Sequence, residues 1–297
     1  MPELTPVRGD AVALPELVDA FNSAFEGYLV PMSHTVASLS AMITTNDVRL
    51  EHSFLLRDRS GAWAGVALLG VRGEAGWVAG MAVAPEWRRR GVGDRLMRLL
   101  LAEARHIGLR HIQLEALDEN AAAIHLYTRL GFRTLRPLTV YMGPLRWPRV
   151  TPPASAREDD GVTPLPVAEA LANFAAFHQA PPPWQRDLPS LRQSAHHLAG
   201  ICLRAADGLR AYILYAASIQ GPSVLDFGSR ADTARERADD ALRLLAAVTH
   251  ATPGATVRVI NVPPGDAIGD ALDQLRCPAI NRQREMTLTL PSPREGE

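Results

Sequence analysis

The chain has 297 residues, of which 47% are hydrophobic and 21% charged, values typical of a globular protein long enough for two domains. Its net charge of −1 excludes the strongly basic surface of a nucleic-acid-binding protein, so we expect no nucleic-acid partner. The two cysteines, Cys202 and Cys277, are too few for a disulfide framework and favour a cytoplasmic location. The sequence has no secretory leader and no apolar run of about 20 residues, so we expect no membrane association.

The first 147 residues predict helices and strands in alternation. Apolar residues at helical spacing predict a helix over Leu14–Phe25 and a second one over Thr35–Ile43. A third helix is expected around Leu96–Ala104, and a fourth covers Asn120–Leu130. Apolar runs bounded by turn residues predict strands at Phe54–Arg57, Trp63–Val71, Trp77–Val83, His111–Leu117 and Val140–Leu145.

The stretch after Val83 joins a strand to a helix through a loop with three consecutive arginines. Arginines oppose the partial positive charge of a helix N-terminus unless an anion binds there. Gly91 and Gly93 are expected to let the backbone curl, so that several N–H groups point at one phosphate. The alternative is a solvated basic turn. The residues predicted to bind the anion are Arg88, Arg89, Arg90, Gly91, Val92, Gly93 and Asp94.

The order of Arg88, Gly91 and Gly93 after a strand that ends in Val-Ala-Pro resembles the pyrophosphate loop of the GNAT superfamily, the acyl-CoA-dependent N-acetyltransferases. A Rossmann loop matches less well because it needs Gly-x-Gly-x-x-Gly, and a Walker loop needs a lysine, which this chain lacks. The resemblance implies acetyl-CoA as co-substrate. It implies a mixed α/β fold, in which helices flank a mostly antiparallel twisted sheet whose central strands splay to admit CoA. Backbone groups of Met81, Ala82 and Val83 would then bind the pantetheine amides.

The segment from Asn120 to Phe132 is similar to the second signature of the superfamily. The resemblance implies that Asn120 braces the pantetheine arm and that Tyr127 faces the CoA sulfur and protonates the leaving thiolate. The two residues are seven positions apart, which is two helical turns, so both lie on the same face of one helix. The alternative for Tyr127 is an ordinary residue of an amphipathic helix.

A primary amine is mostly protonated at neutral pH, so acetyl transfer to an amine also needs a base. Leu114-Glu115-Ala116 resembles a Leu-Glu-Val stretch of the ribosomal-protein N-terminal acetyltransferases, in which the glutamate deprotonates the amine. Glu115 is therefore the predicted base, directly or through water. The alternative is a solvated glutamate.

In GNAT proteins the acceptor is usually chosen by the first two helices and their loop, which here offer Glu26, Tyr28 and His34 as polar candidates. Trp63 and Trp77 are interpreted as core side chains. No histidine or cysteine has a second ligand at metal-binding spacing, so no metal is expected.

The composition changes after Trp147, where a proline-rich linker begins. Beyond it, Leu114–Leu145 aligns with Val259–Leu290 without a gap, at a constant offset of 145. We interpret this as a tandem repeat with an active GNAT-like domain at 1–147, a linker at 148–164, a second copy at 165–290 and a tail at 291–297. At this offset Arg88, Gly91 and Gly93 become Thr233, Glu236 and Ala238, so the second copy is predicted to be degenerate.

The sequence thus predicts an acetyl-CoA-dependent N-acetyltransferase that acts on a small-molecule or peptide amine by direct transfer in a ternary complex. The first domain has no cysteine, which excludes a cysteine acyl-enzyme there. One rival hypothesis is a non-catalytic acyl-CoA sensor or protein-interaction module, and another places the acceptor site on the second domain. The oligomeric state stays open, and a monomer whose two domains form an intrachain pseudo-dimer fits the repeat.

Overall fold

The computed structural model describes residues 3–147, 161–178, 180–250 and 254–291. The chain forms two compact units, and the limits of both differ from those predicted for the two domains. The first unit comprises residues 1–135 and 284–297, and the second comprises residues 136–283. Each unit has a mostly antiparallel sheet flanked by helices, so the predicted mixed α/β class is confirmed.

The first unit alternates helices and strands as predicted, with an additional N-terminal strand. Its elements are β1 (Thr5–Arg8), α1 (Leu14–Ala24), α2 (Val36–Thr45), β2 (Phe54–Arg57), β3 (Trp63–Arg72), β4 (Ala75–Val83), α3 (Val92–His106), β5 (His111–Leu117) and α4 (Ala121–Arg129). Strands β1 to β4 pair in sequence order as antiparallel neighbours, and β5 joins β4 in parallel. The end of strand β12 (Ala279–Thr289) lies beside β5.

Helix α3 covers one face of this sheet with an apolar stripe. Leu96, Met97, Leu100 and Ala104 are fully buried at the spacing of one helical face. Burial of each large apolar side chain contributes roughly 1.5–3 kcal/mol to stability. The stripe therefore fixes the helix, and with it the loop at its N-terminus.

Strands β4 and β5 form a fork. They pair only at Ala75–Trp77 with His111–Gln113, and no further pair is registered along their described length. Just beyond Trp77, the pairing of β3 with β4 shifts register, because Leu69 faces Val78 and Leu68 faces Gly80. Ala79 is thus an extra residue, a β-bulge, and a bulge bends its strand. The bend accounts for the splayed strands that the sequence predicted.

The second unit repeats this element order. Its elements are β6 (Arg133–Pro144), β7 (Val162–Pro164), α5 (Val167–Phe177), α6 (Leu188–Ser194), β8 (Ala199–Ala205), β9 (Gly208–Ala216), β10 (Ser223–Ser229), α7 (Ala234–His250), β11 (Thr256–Val262) and α8 (Ala267–Gln274). The strands lie in the order β6-β11-β10-β9-β8-β7. The parallel pair β10 and β11 is registered only at Ser223 and Val224, and the bulged residue of β10 is Leu225, so this unit is forked too.

The limits of the two units differ from the predicted ones at the closing strands. The sequence placed Val140–Leu145 at the end of the first domain, whereas residues from Arg136 onwards belong to the second unit. The physical reason is strand pairing, because Tyr141 to Pro144 of β6 face Val259 to Thr256 of β11. Conversely, residues from Arg284 onwards complete the first unit. Residues 148–160 of the predicted linker and 292–297 of the predicted tail lie outside the described residues.

Candidate active site

The N-terminus of α3 follows the forked strand and has free backbone donors. The N-cap residue is Gly91, in the left-handed region at φ 80°, and no side chain caps the helix. The first intrahelical bond is from the Arg95 N–H to the Gly91 carbonyl, at 3.1 Å. The N–H groups of Val92, Gly93 and Asp94 precede it and have no partner within the helix. Such N–H groups suit a phosphate, so the residues present fit the pyrophosphate of CoA.

The two glycines of this loop differ in role. Only Gly91 has a positive φ, which a side chain adopts at a cost of about 1–2 kcal/mol. Gly93 lies inside the first turn of α3, and a Cβ there would be 3.5 Å from Leu126 and 3.6 Å from Val83. The prediction that both glycines curl the backbone is therefore wrong for Gly93, which instead lies close to two apolar side chains.

The three arginines do not act as one cluster. The Arg88 side chain turns inwards, where Nε donates to the Val83 carbonyl at 2.9 Å and the guanidinium also donates to the carbonyl of Glu26. Arg88 therefore ties the loop to the end of α1 and is not aimed outward at a phosphate. Arg89 is exposed with φ 61°, and the exposed Arg90 lies over the Trp87 ring at 5.6 Å.

A basic groove runs from Gly91 along the outer side of α3. It has a volume of about 540 Å³ and is lined by Gly91, Asp94, Arg95, Arg98, Leu99, Ala102 and Arg129. Asp94 accepts hydrogen bonds from Arg98 at 2.6 Å and Arg129 at 2.7 Å. The bond from Arg98 holds the pKa of Asp94 below its usual range. The groove contains Arg95, Arg98 and Arg129 but only this one carboxylate, so it adds positive charge beside the loop.

On β4, the residues predicted to bind pantetheine lie beyond the registered pairing with β5. Met81 and Val83 are partly exposed, whereas Ala82 is buried. Across the fork, the Trp77 indole Nε1–H donates to Glu115 Oε2 at 2.7 Å. Trp77 is therefore more than the core residue that the sequence predicted, and it is a functional candidate that sequence reasoning missed. Trp63 is only partly buried, with its ring 5.3 Å from the Arg57 guanidinium, so its prediction as core is wrong.

Asn120 and Tyr127 lie on α4 as predicted, with different surroundings. Asn120 is the N-cap of α4, since its side-chain oxygen accepts from the Ala123 N–H at 3.1 Å. Its amide nitrogen donates to the Tyr28 hydroxyl at 3.4 Å. Tyr127 is 6% exposed, and its ring is 5.9 Å from that of Phe132. Burial raises the pKa of Tyr127, with a further contribution from Tyr28, so the phenol keeps its proton throughout the neutral range.

The three acceptor candidates follow α1. The Glu26 side chain is exposed, and Tyr28 is partly buried with its ring at a right angle to that of Phe25, 5.3 Å away. His34 exchanges two backbone hydrogen bonds with the Asn22 side chain and packs edge-on against Phe21. Burial lowers the pKa of His34. Tyr28 is thus the candidate that the structure links to another predicted site residue, Asn120.

The matching helix of the second unit begins quite differently. Glu236, which the sequence offset aligns with Gly91, is the third residue of α7; it accepts from the N–H of Thr233 at 3.1 Å and from its hydroxyl at 2.8 Å. The Thr233 hydroxyl in turn accepts from the Glu236 N–H at 3.2 Å. This is a capping box, in which a carboxylate of the chain itself occupies the helix N-terminus.

The fork of the second unit contains an arginine of the same unit. Arg186 is 3% exposed and donates to the carbonyl of Leu225 on β10 at 3.3 Å and of Asn261 on β11 at 3.5 Å. It also pairs with Asp266, at 3.0 Å. One guanidinium therefore bridges the two strands where they part. No sequence pattern marked Arg186, because its partners are 39 to 80 residues away along the chain.

Comparisons with known proteins agree with this geometry. The Acetyltransferase (GNAT) family matches residues 15–132. The ribosomal protein bS18-alanine N-acetyltransferase of Escherichia coli (strain K12) is 30% identical over 110 residues, 37% of this chain and 68% of that enzyme. The chain belongs to the GNAT family of acetyltransferases. Streptothricin acetyltransferase of Streptomyces lavendulae is 48% identical over 50 residues, which span 17% of this chain and 26% of that protein.

Solved structures extend the GNAT likeness to nearly the whole chain. A GCN5-related N-acetyltransferase from Sphaerobacter thermophilus has a TM-score of 0.69 at 14% identity, covering 98% of this chain and 97% of that one. A tandem GNAT protein from the clavulanic acid biosynthesis pathway has a TM-score of 0.66 at 15% identity, covering 98% and 99%. At these identities the likeness shows the fold, and it confirms the predicted tandem of GNAT-like domains.

Among the described residues, no three or more His, Cys, Asp or Glu side chains are grouped so that they could hold a metal ion. Within the same residues, no helix has the length and apolar character needed to cross a bilayer.

Proposed function

We propose that the first unit transfers the acetyl group of acetyl-CoA to a primary amine, directly and within a ternary complex. The observation that carries the proposal is the uncapped N-terminus of α3, placed immediately after the forked strand β4. A phosphate site next to a strand with unpaired backbone is what a long CoA molecule needs, because its pyrophosphate and its amide-bearing arm are bound by different groups.

Binding is assigned to the loop and the fork. The N–H groups of Val92, Gly93 and Asp94 hold the pyrophosphate, and the exposed Arg89 and Arg90 add positive charge. The backbone of Met81, Ala82 and Val83 pairs with the pantetheine amides as an added strand would. Asn120 lies beside this arm, at the start of α4. Arg88 serves by holding the loop in place.

The chemistry is assigned to two side chains. Glu115 removes a proton from the ammonium form of the acceptor, directly or through water, because an amine reacts only when its lone pair is free. The amine then attacks the acetyl carbonyl carbon, the new C–N bond forms and the C–S bond breaks. As the C–S bond breaks, Tyr127 gives its proton to the leaving sulfur, the nitrogen loses its second proton to water, and Tyr127 regains a proton from solvent. The phenol carries its proton at neutral pH, as this role requires, although its burial makes it a weaker acid.

The acceptor is proposed to be a small-molecule or peptide amine. One relative is named for an alanine of a ribosomal protein, and the other for the antibiotic streptothricin. Glu26, Tyr28 and His34 border the α1–α2 loop and are the side chains proposed to select the acceptor. Both cysteines are free and buried, which suits the cytoplasmic location that we propose.

The second unit is proposed to have lost acetyl-CoA binding while keeping the fold. Glu236 occupies the helix N-terminus that a pyrophosphate would need, and Arg186 bridges the fork. We therefore expect one acetyl-CoA per chain. The rival hypothesis of a non-catalytic acyl-CoA sensor predicts the same stoichiometry, so binding alone does not separate the two.

The test combines a titration and an activity screen on the full chain. Calorimetry with acetyl-CoA should give one site per chain. Release of free CoA thiol should then be measured with polyamines, streptothricin-type antibiotics and peptides that begin with alanine. Thiol release together with an acetylated amine supports the enzyme. Tight binding without transfer to any of these amines supports the sensor, and two sites per chain would contradict the assignment of the second unit.

A further inference from the structure

Trp77 contacts the predicted base in the fork. It is on β4, is 3% exposed, and faces Gln113 of β5 in register. Side chains alternate along a strand, so Glu115 lies two positions further on the same face as Gln113. The indole Nε1–H donates to Glu115 Oε2 at 2.7 Å, a short distance for an N–H donor to a carboxylate.

The hydrogen bond from Trp77 to Glu115 lies at the point where β4 and β5 separate. Trp77 is the last residue of β4 registered with β5, and the bulge at Ala79 follows it after a single residue. Beyond that point no backbone ladder holds the two strands together along their described length. The bond from Trp77 to Glu115 therefore begins where the ladder ends, at the closed end of the fork, and it ties a side chain of one strand to the other strand.

We propose that Trp77 is a positioning residue that holds the Glu115 carboxylate in the orientation needed to take the proton of the acceptor amine. This inference rests on the proposed function, in which Glu115 is the base. A free glutamate side chain samples many rotamers, and one hydrogen bond from a buried indole removes most of that freedom.

The chemistry of indole suits this role better than that of a cationic partner. Indole nitrogen donates and does not accept, so Trp77 does not compete for the proton. It carries no charge, so it orients the carboxylate without the strong stabilisation that an arginine gives to the charged form. A carboxylate has two oxygens with about four lone-pair sites, and the bond from Trp77 uses one of them.

The first test needs no acceptor. The chain has five tryptophans, and Trp77→Phe identifies the indole N–H resonance of Trp77 by its loss from the nitrogen–proton NMR spectrum. In the wild type this resonance should be shifted downfield and should move as Glu115 titrates. Glu115→Gln should shift it upfield and remove its pH dependence below neutrality. A resonance that Glu115→Gln leaves unchanged would overturn the proposal.

The second test uses kinetics once an amine is acetylated. Trp77→Phe should lower kcat by about 10-fold, leave the affinity for acetyl-CoA unchanged, and raise the pKa of the acidic limb of the pH–rate profile. Combined with Glu115→Gln, it should cause no further loss. Trp63→Phe is the matched control, because Trp63 is in the same unit and its ring lies against Arg57, and it should change neither limb.

The outcomes separate the positioning role from the function on which it rests. Additive losses in the double variant, or a loss without movement of the acidic limb, would make Trp77 a packing residue. An unchanged acidic limb in Glu115→Gln would show that another group is the base, and the positioning role would then fail too. If no amine is acetylated while the NMR coupling is present, the proposed function fails, yet the hold of Trp77 on Glu115 stands.

Discussion

The helix after the forked strand begins differently in the two units. In the first unit it starts from Gly91, a left-handed residue without a side-chain cap. In the second unit Thr233 is the N-cap, and the carboxylate of Glu236, the third residue of α7, accepts from Thr233 in a capping box. A cap satisfies the same orphan N–H groups that an anion would otherwise bind. If the first helix binds a phosphate as proposed, the difference teaches that one acidic side chain would both stabilise a helix and exclude a phosphate from its N-terminus.

The forks teach the same lesson. Each has a bulge close to the last registered residue of a parallel pair: Ala79 follows Trp77 after one residue, and Leu225 directly follows Val224. In the first unit Glu115 is held at the fork by an uncharged donor, whereas in the second Arg186 donates to carbonyls of both strands. The backbone design is thus common to both units. The side chains that reach into the fork differ, and they determine what else can bind.

The largest expected effect comes from giving the first unit the acid of the second. Gly91→Glu places a carboxylate at the N-terminus of α3, where its negative charge would repel the pyrophosphate. We expect the affinity for acetyl-CoA, measured by calorimetry, to fall by about 10²-fold or more. Two like charges placed in contact at a binding interface cost on the order of several kcal/mol.

Gly91→Ala is the control for backbone strain alone. A Cβ at Gly91 would meet no atom within 4 Å, so only the positive φ is penalised. The alanine variant should lose stability of about 1 kcal/mol and keep most of its affinity. Equal losses of affinity in the two variants would mean that the conformation of Gly91 matters and the charge does not.

The next effect concerns the proposed acid. Tyr127→Phe keeps the ring that packs near Phe132 and removes only the hydroxyl. We expect kcat to fall by about 10²-fold while acetyl-CoA affinity stays constant, because the proton is needed in the transition state. Steady-state kinetics and calorimetry measure the two quantities. A parallel loss of affinity would instead make Tyr127 a binding residue.

The third effect is on stability. Arg186→Leu leaves Asp266 and two strand carbonyls without their guanidinium, and removal of one member of a buried ion pair costs roughly 3–5 kcal/mol. Asp266 is 19% exposed, so we expect the lower end of this range in urea unfolding. Arg204→Leu, which removes an exposed partner of Glu169, should cost far less, because solvent screens an exposed ion pair. Equal costs would show that Arg186 does not hold the fork.

The smallest effect is a pH dependence in the second unit. Burial lowers the pKa of His178, but its hydrogen bond and charge interaction with Asp226 outweigh burial, so the pKa is raised overall. Tyr212 also donates to Asp226, and Arg186 opposes the shift. Because the pKa of His178 is higher in the folded protein than in the unfolded chain, protonated His178 stabilises the fold. This stabilisation is complete below the unfolded pKa of about 6.5 and is lost as the pH rises through the folded pKa.

His178→Phe tests this sign, since a ring is retained beside Phe174. The variant should be less stable than the wild type at pH 6, and the difference should narrow as the pH rises. Urea unfolding at several pH values measures it. A difference that widens with pH would contradict the assigned direction.

Much of the first unit could be predicted because the signals are local. Strands β2 and β5 have the predicted limits, and β4 ends at Val83 as predicted, since alternation and Pro85 mark them in the sequence. The loop before α3 was visible from glycines and arginines that are neighbours in the chain. The inward turn of Arg88 was not, because its partner carbonyls at Ala24 and Glu26 are more than 60 residues away.

The features that escaped prediction all depend on register or on distant partners. Trp77 reads as a core residue until the parallel pairing places it beside Glu115. The two β-bulges could not be predicted from the alternation of apolar and polar residues along the strands. The sequence repeat predicted that each closing strand would complete the sheet of its own domain. In the structure β6 instead pairs with β11 and so belongs mostly to the second unit, a pairing that the pattern of a single strand does not reveal.

The residues from Arg284 onwards that complete the first unit are synthesised only after the whole of the second unit. The ribosome releases residue 135 long before residue 284, and at about 5–20 residues per second the intervening stretch takes roughly 7–30 s. Throughout that interval the nascent acetyltransferase unit has an exposed sheet edge beside β5, a known hazard for misassembly. A stop codon anywhere before residue 284 would leave that edge open permanently. The unit that begins the chain is thus the last to be finished.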